Sequence, residues 1–326
     1  MRCRYSNALV TGGAGFIGSH VVERLLAEGM TVSVLDNLEK GLIQNISQHT
    51  GNKNFHFVCG DVRDYKAVKK ATEDADVIVH LAAMTSVPES FRKPALYDEV
   101  NVVGTLNLLK ASVSSDVKSF IFSSSSAVYG EQKKLPVKES NPLHPTSPYA
   151  VTKMAAERYM RLFLENYGLK TVCLRYFNVY GPRQTLNQYS GVITKFLDSI
   201  MQKRPITVFG DGKQTRDFVY IKDVVEANVL AMKNNVPGEE FNIATGTATT
   251  IDRLAKTLLD LTDKTDIRTI HRKPRKGDIR HSFANISKAK EKLHYRPKTC
   301  LENGLRETIK SRELWRASFQ EELTKC

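Results

Sequence analysis

No part of this chain holds the run of roughly 20 apolar residues that crosses a bilayer as a helix, so no membrane span is expected. Residues 2–6 are polar or charged, and the short run Ala8-Leu9-Val10 meets glycines at once, leaving no core for a secretory leader. Cysteine is scarce. Cys3, Cys59, Cys173, Cys300 and Cys326 are odd in number and far apart, matching neither a disulfide framework nor paired metal ligands. They are expected to be reduced bystanders in a soluble, cytoplasmic protein without a metal site. Acidic residues are in deficit: 48 basic against 35 acidic side chains leave a net charge of +13, which suits an anionic partner. Basic residues are nevertheless spread along the chain, with a tighter group only at Arg272, Lys273, Arg275, Lys276 and Arg280, and no nucleic-acid-binding module accompanies them. A nucleic-acid partner is not expected, and most of the charge reads as solvated surface. Repeats and low-complexity linkers are absent as well.

What is there is the composition of a globular protein, 41% hydrophobic and 25% charged over 326 residues, enough for one large α/β unit with an appended lobe. Residues 7–12 read as a buried strand that runs into Gly12-Gly13-Ala14-Gly15-Phe16-Ile17-Gly18 and then a helical pattern over 19–28. Glycines three apart between a strand and a helix bring backbone N–H groups and the positive helix end to a pyrophosphate. The next strand, 31–35, ends on Asp36, whose carboxylate suits ribose hydroxyls and repels a 2'-phosphate. With Asn37 beside it, this favours NAD over NADP. Strand, glycine turn, helix, strand and terminal acid in one short unit form a specific dinucleotide signature.

Further strands are expected at 55–59, 76–80, 119–122 and 171–174. Asp61, after the third strand, either meets the adenine amino group or caps a helix, as Asp64 also can. Leu81-Ala82-Ala83 are small enough to admit a cofactor, whereas His80 is given a structural role. A helix over 95–114 is apolar on more than one side, with Asn101 as a polar exception able to bridge backbone or cofactor groups. Ser123, Ser124, Ser125 and Ser126 follow the fifth strand, where open α/β sheets bind ligands. Alternation through residue 176 predicts a parallel, doubly wound Rossmann sheet over 1–176. A smaller α/β lobe is expected over 177–326, with segments near 222–244 returning to the first unit.

Ser147-Pro148-Tyr149-Ala150-Val151-Thr152-Lys153 places a phenol and an ammonium four residues apart on one helix face. A phenol with an ordinary pKa of about 10 needs roughly 4 kcal/mol of help to ionise near neutral pH. One cation at roughly 4 Å in an effective dielectric of about 20 supplies that much.

These residues, in this order, resemble the extended short-chain dehydrogenase/reductase family over nearly the whole chain. Arg175-Tyr176-Phe177-Asn178-Val179-Tyr180-Gly181-Pro182-Arg183 and Thr215-Arg216-Asp217-Phe218-Val219-Tyr220 are similar to blocks of UDP-glucose/UDP-galactose 4-epimerases. The resemblance implies that Tyr149 takes the proton from the sugar 4-hydroxyl while C4 gives hydride to NAD. Ser125 would bind the same oxygen, and Lys153 would hold the nicotinamide ribose and lower the Tyr149 pKa. It also implies cofactor contacts from Phe16, Ile17, Val62, Asn101, Ser123, Ser124 and Tyr176. On the substrate side it implies Ser86, Asn178, Phe209, Arg216, Arg275, Asp278 and Ser282, with the arginines on the diphosphate of a UDP-sugar. Arg280 is either a further clamp or a solvated charge. Related dehydratases and uronate decarboxylases need an added acid–base group where this chain has Ser126 and Ala127, so those reactions are disfavoured. Small Ser282 leaves room for an N-acetyl group. A homodimer through helices near 95–114 and 148–165 is implied too, and a non-catalytic NAD-binding regulator is the alternative of a different kind.

Overall fold

The computed structural model describes residues 5–185, 191–274 and 279–324. Short β-branched runs alternate with amphipathic helices from the start: β1 Asn7–Thr11, α1 Phe16–Ala27, β2 Thr31–Asp36, β3 Phe55–Cys59, α2 Tyr65–Thr72 and β4 Val77–His80. Two short helices follow, α3 Val87–Ser90 and α4 Pro94–Asp98, then α5 Gly104–Ser114, β5 Ser119–Ser125, α6 Pro148–Tyr167 and β6 Thr171–Tyr176. The remainder comprises β7 Asn178–Tyr180, α7 Val192–Met201, β8 Ile206–Phe209, β9 Thr215–Arg216, β10 Phe218–Tyr220, α8 Ile221–Lys233 and β11 Glu240–Ile243. It closes with β12 Thr249–Thr250, α9 Ile251–Leu261, β13 Thr269–Arg272, β14 His281–Ser282, α10 Ser287–Lys292 and α11 Leu301–Thr324.

Seven parallel strands form the main sheet in the order β3-β2-β1-β4-β5-β6-β11. Alternation along each strand fills both faces. Val10, Val32, Val34, Val79 and Ile121 pack with α1 and α8 residues such as Val22, Leu25 and Val229. Leu9, Leu35, Ile78, Phe120 and Phe122 pack on the other face with Leu108, Leu109, Ala156 and Met160 of α5 and α6. β11, far along the chain, pairs with β6 and completes the sheet edge.

The helix predicted over 95–114 is present, with residues 99–103 making a wider π-helical turn between α4 and α5. Asn101 lies in that turn, and Thr105 Oγ1 donates to its carbonyl at 2.6 Å. The fifth strand also runs beyond residue 122, since Ser123, Ser124 and Ser125 pair with Leu174, Arg175 and Tyr176. The serines are therefore held in the sheet instead of hanging from its end. Asp217, fully buried, ties the later elements together by accepting from Thr245 N (2.8 Å), Gly246 N (2.9 Å) and Ala284 N (3.2 Å).

Candidate active site

The carboxyl ends of β1, β2, β4, β5 and β6 open on a cleft of about 610 Å³. Its floor is bare backbone. Gly12 has φ +69°, and a Cβ there would lie 2.7 Å from Ala82 N, while one on Gly18 would lie 2.1 Å from Gly12 O. Gly15 starts α1 with no capping side chain, so the first N–H groups of the helix stay open to an anion. This cradle fits a dinucleotide pyrophosphate. At the end of β2, Asp36 accepts from Ala14 N (3.0 Å) and Leu38 N (2.9 Å); burial raises its pKa against those two bonds. A carboxylate has room for further donors, so ribose hydroxyls are still admitted. Asp64 is the helix cap, accepting from Lys66 N at 2.9 Å. Asp61 lines the cleft instead, and hydrogen bonds from Arg63 hold its pKa down to about 2, with Asn37 also donating at 2.8 Å.

On the opposite wall, Ser147 caps α6 by accepting from Ala150 N at 3.2 Å, and Pro148 takes the first helical turn. That start presents Tyr149 and Lys153 to β5. Burial raises the Tyr149 pKa, and a hydrogen bond with the Ser125 side chain opposes the shift. Lys153 Nζ donates to Ser123 O at 2.8 Å and lies 4.8 Å from the Phe122 ring centre. Burial lowers its pKa to about 7, with the Glu157 charge opposing. The ammonium is engaged by a strand carbonyl, and the Ser125 side chain opposes the rise of the Tyr149 pKa.

Phe16, Ile17, Val62, Leu81, Ala82, Ala83, Ser86, Ser124 and Tyr176 also line the cleft, as do Gly12, Gly15, Gly18, Asp36, Asn37, Asp61, Ser123, Ser125, Tyr149 and Lys153. Asn101 does not line it. Its amide is used up on Met84 N (2.8 Å), Met84 O (3.0 Å) and Thr152 Oγ1 (3.0 Å), pinning the loop after β4 to α6. Asn178, Phe209, Arg216 and Ser282 also stand apart from the cleft walls. Asn178 Nδ2 donates to Asp217 O at 3.3 Å, Phe209 ends β8, and Arg216 pairs with Ser282 across β9 and β14. Arg275 and Asp278 lie outside the described residues. Arg280 makes a bidentate exposed pair with Asp211 at 2.6 and 2.7 Å. His80 is structural, packed between Thr11 Oγ1 (2.7 Å) and Thr105 Oγ1 (2.9 Å), with burial lowering its pKa to about 3.

Lys40, Met84, Thr85, Glu89, Phe177, Gln184 and Thr185 line the cleft without having been singled out in the sequence. Glu89 carried a signal, since Ser86-Val87-Pro88-Glu89 has capping-box spacing and Ser86 Oγ accepts from Glu89 N at 3.1 Å. The others come from loops that only the fold gathers.

A family model described as GDP-mannose 4,6 dehydratase matches residues 9–308. The UDP-glucose 4-epimerase of Mycolicibacterium smegmatis is 37% identical over 303 residues, covering 92% of this chain and 96% of that one. Among solved structures, a UDP-N-acetylglucosamine 4-epimerase from Methanobrevibacter ruminantium superposes with TM-score 0.91 at 40% identity, over 95% of this chain and 99% of that one. A UDP-glucose 4-epimerase from Thermotoga maritima, solved with UDP-glucose, gives TM-score 0.90 at 42% identity with the same coverage. NAD is bound in similar structures of two reaction types, a UDP-glucose 4-epimerase from Thermus thermophilus (37% identical) and a dTDP-glucose 4,6-dehydratase from Streptomyces venezuelae (31% identical).

Proposed function

From its membership of the GDP-mannose 4,6-dehydratase family of extended short-chain dehydrogenases/reductases, with NAD as its cofactor, we propose that this chain epimerises UDP-hexoses at C4, the glucose/galactose pair and their N-acetylamino counterparts. The observation that carries the reading is the Ser125–Tyr149–Lys153 corner, placed in one cleft with the glycine cradle while residues 126 and 127 bear no acid. Gly12, Gly15 and Gly18 would hold the pyrophosphate, Asp36 the adenosine ribose and Lys153 the nicotinamide ribose. When bound, NAD supplies a reversible hydride acceptor at the sugar carbon. Tyr149 takes and returns the proton at O4, and Ser125 orients that oxygen and stabilises the phenolate. Lys153 anchors from Ser123 O. Such general-base assistance is worth roughly two to four orders of magnitude in rate.

Elimination and decarboxylation need a further acid–base group beside the hydroxyl, which Ser126 and Ala127 do not supply. The N-acetyl part of the proposal rests on the family resemblance at small Ser282, which pairs with Arg216 in the sheet register away from the cleft walls. A homodimer through the helices near 95–114 and 148–165 belongs to the same reading, supported by the exposure of Val103, Val151 and Leu162.

The test is to incubate the purified protein with UDP-galactose, and separately with UDP-N-acetylgalactosamine, without added cofactor and to resolve the products by chromatography. Appearance of the 4-epimers supports the proposal and means that NAD is retained through purification. If both sugars stay unchanged even after NAD is supplied, the reading is wrong.

A further inference from the structure

A buried charge next to the catalytic corner has no part in the chemistry so far described. Glu157 lies one helical turn beyond Lys153 on α6, with its side chain 4% exposed. Its Oε1 accepts from Ser124 Oγ at 2.5 Å and from Arg175 Nε at 2.9 Å, and its Oε2 accepts from Arg175 Nη2 at 2.7 Å. Arg175 then donates through Nη1 to Tyr129 O–H at 2.9 Å. Three side chains of α6 spaced by four residues thus meet three consecutive residues of β5: Tyr149 at Ser125, Lys153 at Ser123 O, Glu157 at Ser124.

We propose that Glu157 is a positioning residue: it is the last rung of this ladder and sets the register in which Tyr149 meets Ser125 and Lys153 meets the strand. A helix held at one contact can slide or roll, whereas three polar rungs over two turns fix both, and a misplacement of about 1 Å at the chemistry can cost ~100-fold in rate. Glu157 also acts on Lys153 through its charge. The titratable groups around Lys153 are His80 on β4, Cys173, Arg175 and Tyr176 on β6, and Tyr149 and Glu157 on α6. Burial keeps His80 neutral and pushes the Cys173 thiol and the Tyr149 and Tyr176 hydroxyls up. Among the described residues, Glu157 is therefore the anion that favours the ammonium against its burial.

The kinetic half of this inference rests on the epimerase reading; the electrostatic half does not. The experiment compares wild type, Ser124→Ala and Glu157→Gln as holoenzymes. It measures epimerisation of UDP-galactose and the titration of the Lys153 side chain by NMR with labelled lysine, assigned through Lys153→Met. Ser124→Ala leaves the ion pair in place and is expected to lower kcat ~3–10-fold with little change in KM. Glu157→Gln is expected to lower kcat ~10–100-fold, and to move the Lys153 midpoint and the alkaline limb of the rate profile to lower pH. A folded Glu157→Gln protein with wild-type kcat, or with an unmoved Lys153 midpoint, overturns the proposal. Should Glu157→Gln not fold, Ser124→Ala decides, because wild-type kcat there leaves the rung without effect. If wild type itself turns over no UDP-sugar, the epimerase reading fails while the lysine titration still tests the electrostatic half.

Discussion

The catalytic corner and the corner where β9 meets β14 each contain a bidentate arginine–carboxylate pair, and the two pairs sit in opposite surroundings. Arg175–Glu157 has side chains 5% and 4% exposed, whereas Arg280–Asp211 has 45% and 50%. The distances are alike, 2.7 and 2.6 Å. Water separates their meaning. Breaking a buried pair leaves an uncompensated charge and costs about 3–5 kcal/mol, while an exposed pair is screened and replaced by hydration. Charge in the first corner is therefore a positioning device, and in the second it is mostly surface.

The comparison breaks most sharply at Tyr149. Tyr149→Phe is expected to lower turnover ~10²–10⁴-fold while NAD content and melting temperature stay near wild type; retained activity would remove the phenol from its assigned role. Gly12→Ala comes next. Its Cβ has nowhere to go at φ +69° and 2.7 Å from Ala82 N, so the purified variant should carry little NAD when the extracted cofactor is quantified. Full occupancy would mean that the cradle is elsewhere.

Lys153 gives a pH test within the buried corner. Burial takes its pKa from an ordinary 10.5 to about 7, equivalent to at most ~5 kcal/mol against the charged form. For a cation with a depressed folded pKa, that penalty is complete below about 7 and fades as pH rises towards 10.5. Lys153→Met should therefore gain stability relative to wild type at pH 6, and the gap in denaturant midpoints should narrow by pH 9. A gap independent of pH would contradict the burial effect. In the outer corner, Ser282→Tyr should cut turnover of N-acetylated sugars ~10-fold or more and spare hexoses; equal effects on both would dismiss the gate. The smallest effect belongs to Arg280→Ala. No measurable change in melting temperature and less than ~3-fold in KM are expected of a solvated pair, and a large KM rise would make Arg280 a clamp.

The inner corner was also the more legible one. Gly12, Gly15, Gly18, Asp36, Ser125, Tyr149 and Lys153 sit at strand ends or helix starts, where local spacing dictates placement, and all of them line one cleft. Asn101 was read as a polar exception in a helix, but its bonds run to Met84 and Thr152, which no helical periodicity reveals. Asn178, Phe209, Arg216 and Ser282 come from short strands whose partners are distant in the chain, so spacing alone does not say what they face.

By itself the amino-acid sequence determined the parallel α/β sheet, the strand–glycine–helix cradle and the shared face of Tyr149 and Lys153, because these follow from periodicity, missing side chains and a spacing of four. Only the tertiary structure decided that Lys153 reaches Ser123 O and that Glu157 pairs with Arg175 behind Ser124. Local spacing selects the face of a helix; which carbonyl, hydroxyl or charge lies across from it depends on packing between segments far apart in the chain.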